Sequence, residues 1–274
     1  MKWIGNVRKM ESTVDDKGCI TYHFRGGDPL EPCPMWEVNT WLGREVQVSF
    51  GGEIHCVVTG KKIHTTYGEG MSYEAFLSSP LATPSIVRPE LSRIHEGIAL
   101  RDEAWEREHH LQPHAVYVAR TSHLKVGVTR TSNIPSRWVD QGAVEAVVVA
   151  KTPYRQLAGE MEVALKEVLS DKTHWRGMLS DVVCNRDELL QAKEDCVDTL
   201  GEAYESFFDL DDHITRLHPP VLMYPPKVRS VKLDKTPNIH SRLVGLKGQY
   251  WMFEDGSVWN VRSHAGYRVE ISAD

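Results

Sequence analysis

Between residues 113 and 175 short apolar runs trade places with segments of helical spacing. Ala115–Arg120, Lys125–Thr129 and Val144–Ala150 read as strands. Thr121-Ser122-His123-Leu124 is short enough to join the first two as a hairpin. Asn133–Asp140 reads as a short helix with Pro135 in its first turn, and Pro153 opens a longer helix that runs to about Asp171. The predicted order is β-β-α-β-α, with the three strands antiparallel.

The flanks carry different patterns. Asn185 followed by Glu188 reads as a capping box that opens an acidic amphipathic helix over 186–208. Leu189, Leu190, Val197, Leu200, Tyr204, Phe207 and Phe208 form its apolar face. Toward the N-terminus Cys19–Phe24 and Glu45–Phe50 read as strands, broken by Gly26-Gly27-Asp28-Pro29 and Gly51-Gly52. Arg101–His110 is charged enough for an exposed helix. After His218-Pro219-Pro220, strands are predicted at Leu243–Gly245, Gln249–Phe253, Ser257–Val261 and Tyr267–Ile271, with Glu254-Asp255-Gly256 as a hairpin turn. These last strands predict a small bent sheet, a candidate to join the N-terminal strands in one β module. The expected fold class is α+β: a central α/β domain at 113–218, an N-terminal β module at 1–112 and a small β unit at 219–274.

Composition changes this picture little. With 274 residues, 41% hydrophobic and 26% charged, the chain has globular content. No apolar run approaches the ~20 residues of a membrane helix, and MKWIGNVRKMESTV lacks the apolar stretch of a signal peptide, so a cytoplasmic protein without membrane contact is expected. The five cysteines include no CxxC pair and are expected to be reduced. Charge is uneven: residues 1–112 carry −4, 113–176 carry +3, 177–218 carry −8 and 219–274 carry +3. The middle and last segments tolerate a polyanion and the acidic helix does not, although an ordinary solvated surface gives the same numbers.

The chemistry concentrates in the centre. Ala115-Val116-Tyr117 and Lys125-Val126-Gly127 lie on neighbouring strands, Arg137 follows on the short helix and Glu162 on the long one, four residues after Ala158. This region resembles the GIY-YIG nuclease module, named for two tripeptides on adjacent antiparallel strands. The resemblance implies catalytic roles for Tyr117, Lys125, Arg137 and Glu162, with Mg²⁺ at Glu162. Phosphodiester cleavage suits such residues: a carboxylate holds a hydrated cation, a guanidinium grips the developing charge and a tyrosine orients water. Here Lys125 replaces the second signature tyrosine. At an ordinary pKa it is a poor base, so weak or absent nuclease activity is expected. The residues also admit a structural reading: Tyr117 as a half-buried aromatic, Arg137 and Glu162 as an ion pair, and Gly127 as a point of close backbone packing.

The whole chain resembles an uncharacterised bacterial family, a domain of unknown function. The resemblance rests on segments such as Leu124-Lys125-Val126-Gly127-Val128-Thr129-Arg130, Ile134-Pro135-Ser136-Arg137-Trp138-Val139-Asp140, Asp171-Lys172-Thr173-His174-Trp175-Arg176 and Leu246-Lys247-Gly248-Gln249-Tyr250. Many relatives carry a cysteine-rich segment like one or two zinc sites. In this chain the matching positions retain only Cys56 and His95 and otherwise read Thr59, Ser72, Ala75, Ala82, Ser85 and Ser92, so structural zinc is not expected. His55, His64, His109 and His110 read as solvated. Tyr73, Phe76, Leu77, Ile86, Val87 and Ile94 are the candidates to replace a metal as the core of this segment.

Two functions of different classes follow. One is binding of DNA or RNA through Arg130 and Arg137, with Lys247 and Arg262 adding cations among Tyr250, Trp251 and Trp259 of the C-terminal hairpin, as on a single-strand surface. Alternating Trp and Arg on a strand more often reflects one buried and one wet face. The other is a non-catalytic scaffold or small-anion-binding protein. No cofactor is required by either; oligomeric state is not encoded in any pattern of this chain.

Overall fold

A computed structural model describes residues 2–25 and 35–274. The expected turn at Gly26-Gly27-Asp28-Pro29 lies outside the described residues, as does Cys33. In chain order the elements are β1 (Lys2–Asn6), β2 (Glu11–Val14), β3 (Ile20–Arg25), β4 (Met35–Glu37), β5 (Glu45–His55), β6 (Lys62–Ile63) and α1 (Tyr73–Ser78). There follow α2 (Glu103–His110), β7 (His114–Arg120), β8 (Leu124–Arg130), α3 (Ser136–Asp140), β9 (Glu145–Thr152), α4 (Arg155–Leu165), α5 (Trp175–Met178), α6 (Arg186–Leu200) and β10 (Thr215–Arg216). The last are β11 (Arg229–Val231), β12 (Asn238–Lys247), β13 (Tyr250–Phe253), β14 (Ser257–Asn260) and β15 (Tyr267–Ala273), with short 3₁₀ turns between several elements. The fold is α+β with several antiparallel sheets.

Two compact units account for the described residues: 1–79 with 218–274, and 80–217. The three consecutive segments suggested by the sequence regroup for a physical reason. β15 pairs with both β1 and β5, and β5 also pairs with β12, so the two ends of the chain share one sheet. Residues 80–112 join the other unit because the turn at Pro89–Leu91 lies directly on α4. A Cβ on Gly159 would sit 2.2 Å from the Glu90 amide nitrogen, so only glycine permits that approach.

The first unit holds a sheet in the order β1-β15-β5-β12-β13-β14-β11, with β6 on β5, and a smaller sheet β2-β3-β4. Gly51-Gly52 does not break β5. The strand runs through both glycines, and the partner register jumps from Phe50↔Val269 to Ile54↔Tyr267. The pair forms a bulge, with Gly52 at φ +85°, so the sheet bends without ending. The turn Glu254-Asp255-Gly256 is present: Gly256 has φ +80° and Ser257 N–H donates to Asp255 Oδ1 at 2.9 Å. It brings Trp251 opposite Trp259, with ring centroids 5.1 Å apart and both rings buried against Phe24.

The second unit is built on a sheet of order β10-β9-β7-β8. Its pairs are antiparallel, and the two-residue β10 widens the three strands expected from the sequence to four. Val116, Val118, Val126 and Val128 join Val147 and Val149 in one core with Ala158, Met161 and Leu165 of α4 and Leu189, Ala192 and Cys196 of α6. The long helices are shorter than their patterns suggest. α4 ends at Leu165 and α6 at Leu200, where Gly201 takes φ +66° and a 3₁₀ turn carries Tyr204 and Phe207. Asn185 caps α6, its side chain accepting from Glu188 N at 3.3 Å. The reciprocal half of the box is not local: Asn185 N–H donates to Glu145 of β9 at 2.9 Å, while Glu188 binds Arg120. α2 is not simply exposed, since it buries Glu106 and His110. Glu106 Oε1 accepts from the amides of Leu100 and Arg101 at 2.9 and 2.8 Å.

Candidate functional site

In the hairpin of β7 and β8, Tyr117 stands directly opposite Gly127. A Cβ on Gly127 would lie 2.6 Å from the Tyr117 hydroxyl, so the glycine leaves room for the phenol to lie across the neighbouring strand. The hydroxyl donates to Gln141 Oε1 at 2.8 Å, and the ring meets Trp138 of α3 edge-on at 5.8 Å. Tyr117 is fully buried, not half-buried. Burial pushes its pKa up, while the Arg137 guanidinium and the bond to Gln141 act against that rise and Glu162 adds to it.

Lys125 lies two residues before Gly127, on the same face of the sheet as Tyr117. Beyond α4 the chain returns beside β8, where Val126 N–H donates to Ser170 O at 2.9 Å. That return places Thr173 Oγ1 3.4 Å from Lys125 Nζ. Only 4% of Lys125 is exposed. Burial, reinforced by Arg137, brings its pKa down to about 8 against the pull of Asp171 and Glu162. The ordinary pKa expected from sequence therefore does not hold, and Lys125 is poised close to neutrality.

Glu162 is 9% exposed, and burial raises its pKa, with Lys166 opposing and Asp171 reinforcing. Lys166 Nζ lies 3.5 Å from Glu162 Oε2 and 3.1 Å from Asp171 Oδ2, bridging the two carboxylates. Arg155 sits two helical turns before Glu162 on the same face of α4. Its guanidinium donates to the carbonyls of Ser85 and Ile86 at 2.8 and 2.9 Å, and burial lowers its pKa to about 10. It is within electrostatic reach of Glu162, Arg137, Arg130 and Glu90, the last of which binds Arg88 at 2.9 Å.

Tyr117 and Lys125 are thus each within electrostatic reach of Arg137 and Glu162, and Arg155 is within reach of Glu162, Arg137 and Arg130. Sequence reasoning missed Arg155, Lys166 and Asp171. The first two were signalled by spacings of seven and four residues from Glu162; Asp171 depends on the non-local pairing at Ser170.

The C-terminal candidates fall elsewhere. Lys247 is fully buried, its ammonium 5.3 Å from the centre of the Tyr224 ring. Arg262 is half-exposed and bonded to the Glu69 carboxylate. With Trp251 and Trp259 both inside the core, the hairpin presents a packing face where a nucleic-acid surface was expected.

A family model described as a protein of unknown function (DUF2797) matches residues 43–269. The chain belongs to this family. No curated protein and no solved structure matches it. In this DUF2797 chain several of the positions weighed above as zinc ligands make other contacts. Cys56 Sγ accepts from the amides of Ser72 and Thr59 at 3.1 and 3.5 Å; burial raises its pKa, but these hydrogen bonds bring it to about 6. Ser92 Oγ meets His110 Nδ1 at 3.1 Å, and His95 stacks on Tyr154 at 4.7 Å. His110 is therefore buried, not solvated, and burial takes its pKa to about 3. Of the apolar residues expected to form the core of this segment, Ile94 is fully buried, whereas Tyr73, Leu77, Ile86 and Val87 are exposed. Arg155 and the Gly159 contact hold residues 85–90 on α4 instead. Among the described residues no helix is long and apolar enough to cross a membrane.

Proposed function

We propose that the residues around Tyr117 form a phosphate-binding site, whose ligand is the phosphate backbone of a nucleic acid held with little or no hydrolysis. One observation carries this reading. Lys125, Arg130, Arg137, Arg155 and Lys166 outnumber the carboxylates in reach of them, Glu162, Asp171 and Glu90, and Lys125 and Glu162 are buried. Cations concentrated in low dielectric attract an anion far more strongly than the same cations in water. Arginine supplies a planar fork matched to phosphate oxygens, and the Thr173 hydroxyl adds a neutral donor.

The order β-β-α-β-α, with Tyr117, Gly127, Arg137 and Glu162 in sequence, supports a divergent GIY-YIG-like module. Three features favour binding over cleavage. The raised pKa of Tyr117 keeps the phenol protonated at neutral pH. Lys125, with a pKa of about 8, remains mostly an ammonium there. Glu162 is already engaged by Lys166. No strong base is therefore available to a water molecule at pH 7.

Binding of a labelled single-stranded oligonucleotide across a salt series tests the reading. Log affinity is expected to fall by about 0.7 per neutralised phosphate for each log unit of salt. Arg137→Ala should make that slope shallower by about one phosphate contact; Glu162→Gln should leave it intact. A second reading, a small anion as ligand, is favoured by the enclosure of Tyr117, Lys125 and Glu162. Saturable binding of inorganic phosphate without salt-sensitive binding of any oligonucleotide would select it. Rapid cleavage abolished by Glu162→Gln would instead show an active nuclease.

A further inference from the structure

Glu162 is the residue at which the nuclease-like reading would place a divalent cation. Its surroundings argue otherwise. Its outer oxygen faces the Lys166 ammonium at 3.5 Å, and the same ammonium is anchored from its other side by Asp171 at 3.1 Å. Arg155 acts on Glu162 as well, and Arg137 is in reach of Arg155, Lys125 and Tyr117. Mg²⁺ asks for six oxygens in near-octahedral order and keeps most of its waters. Among the described residues no group of three or more His, Cys, Asp or Glu side chains is placed to hold a metal. A dication here would also add two charges to a setting in which cations already exceed carboxylates. These residues do not fit a divalent metal.

We propose that the Lys166 ammonium occupies the place of a divalent cation beside Glu162, making this site a metal-independent phosphate binder; the claim rests on the phosphate-site reading for its ligand. The geometry gives the lysine a defined position. Lys166 follows Glu162 by one helical turn, so its stem rises along α4 toward that carboxylate. Asp171, on the chain that returns beside β8, holds the ammonium from outside the helix. A cation fixed covalently at one position needs no capture step when an anion arrives. It also keeps Glu162 and Asp171 compensated when no anion is present. Removing the ammonium should leave two neighbouring carboxylates with no shared cation, the beginnings of a divalent site.

The test counts bound Mn²⁺ by the loss of the free-ion electron-paramagnetic-resonance signal, using the full-length chain without a histidine tag. The wild type is expected to show no saturable Mn²⁺ binding, and Lys166→Met to bind one equivalent that Asp171→Asn in the same background removes. Lys166 is partly exposed, so the substitution leaves the core intact, and Lys166→Gln serves as a second isosteric probe. Stoichiometric Mn²⁺ on the wild type that Glu162→Gln abolishes would overturn the proposal. So would folded Lys166→Met and Lys166→Gln proteins that both fail to bind Mn²⁺. A separate arm measures a 5′-phosphorylated oligonucleotide and inorganic phosphate in EDTA and in Mg²⁺. Equal affinity in the two buffers supports metal independence, and binding that requires Mg²⁺ refutes it. If neither anion binds in either buffer, the phosphate reading falls, while the Mn²⁺ result still decides what Lys166 replaces.

Discussion

Residues 80–217 bury two groups of charged side chains, and they are balanced in opposite ways. Around Arg120 one guanidinium is shared by two carboxylates. Its Nε meets Glu145 at 2.7 Å and its terminal nitrogen meets Glu188 at 2.9 Å, with Arg120 7% and Glu145 0% exposed. Around Lys125 cations accumulate beyond what Glu162 and Asp171 compensate. The first group joins β7, β9 and the start of α6, and its job is complete when the chain has folded. On the phosphate-site reading proposed above, the second is completed only when an anion arrives. Depth of burial alone would not have separated them; the sign of the leftover charge does.

The sharpest way to break this contrast is Glu145→Ala. It leaves Arg120 buried beside a largely exposed Glu188 and takes away the acceptor for the Asn185 amide. A loss of ~3–5 kcal/mol is expected, read as a shift of the urea midpoint at unchanged slope, with anion affinity per folded molecule unaffected. A loss under about 1 kcal/mol would mean the Arg120 group is not structural. Gly127→Ala comes next. The added methyl would meet the Tyr117 hydroxyl, and ~1–3 kcal/mol of stability should be lost together with phosphate affinity, because the ring must move.

Lys125→Met should have the smallest effect on folding and the opposite sign. Exchanging a buried, under-compensated ammonium for a thioether of similar length is expected to be neutral or to stabilise by about 1 kcal/mol at pH 7. The linkage supports this direction. Lys125 sheds its proton at about pH 8 when folded and at its ordinary 10.5 when unfolded. Between those values the unfolded chain holds the extra proton, so stability from this group rises with pH across the window and is least below pH 8. Anion binding should run the other way, weakening as pH climbs through about 8 and the ammonium is lost. A calorimetric pH series on wild type and variant checks both; a wild-type affinity that stays flat from pH 7 to 9 would remove Lys125 from the site.

Much of the central sheet was legible because strands buried on both faces announce themselves as valine-rich runs, as in β7, β8 and β9. Tyr117, Lys125, Arg137 and Glu162 were grouped by the resemblance to the nuclease module, each lying on an element whose type the pattern reveals. Arg155 and Lys166 were in plain view at helical spacing, but arginine and an i,i+4 Glu–Lys pair occur on so many exposed helix faces that neither stands out. Asp171 and Thr173 could not be placed, since their approach depends on Ser170 meeting Val126 across the fold. In the C-terminal hairpin the pattern of Trp and Arg favoured a buried face over a binding face, and the meeting with Phe24, more than two hundred residues earlier, shows what buries the tryptophans.

The pairing of the chain's two ends has a consequence for synthesis. Lys2 lies opposite Ser272, and β5 finds its neighbours in β12 and β15, strands made only after residues 80–217. The early strands must wait, edges unsatisfied, while residues 80–217 emerge and complete their own sheet from contacts contained within that stretch. Order of birth and order of folding are therefore inverted: the middle of the polypeptide can finish first, and the beginning cannot finish until the end arrives.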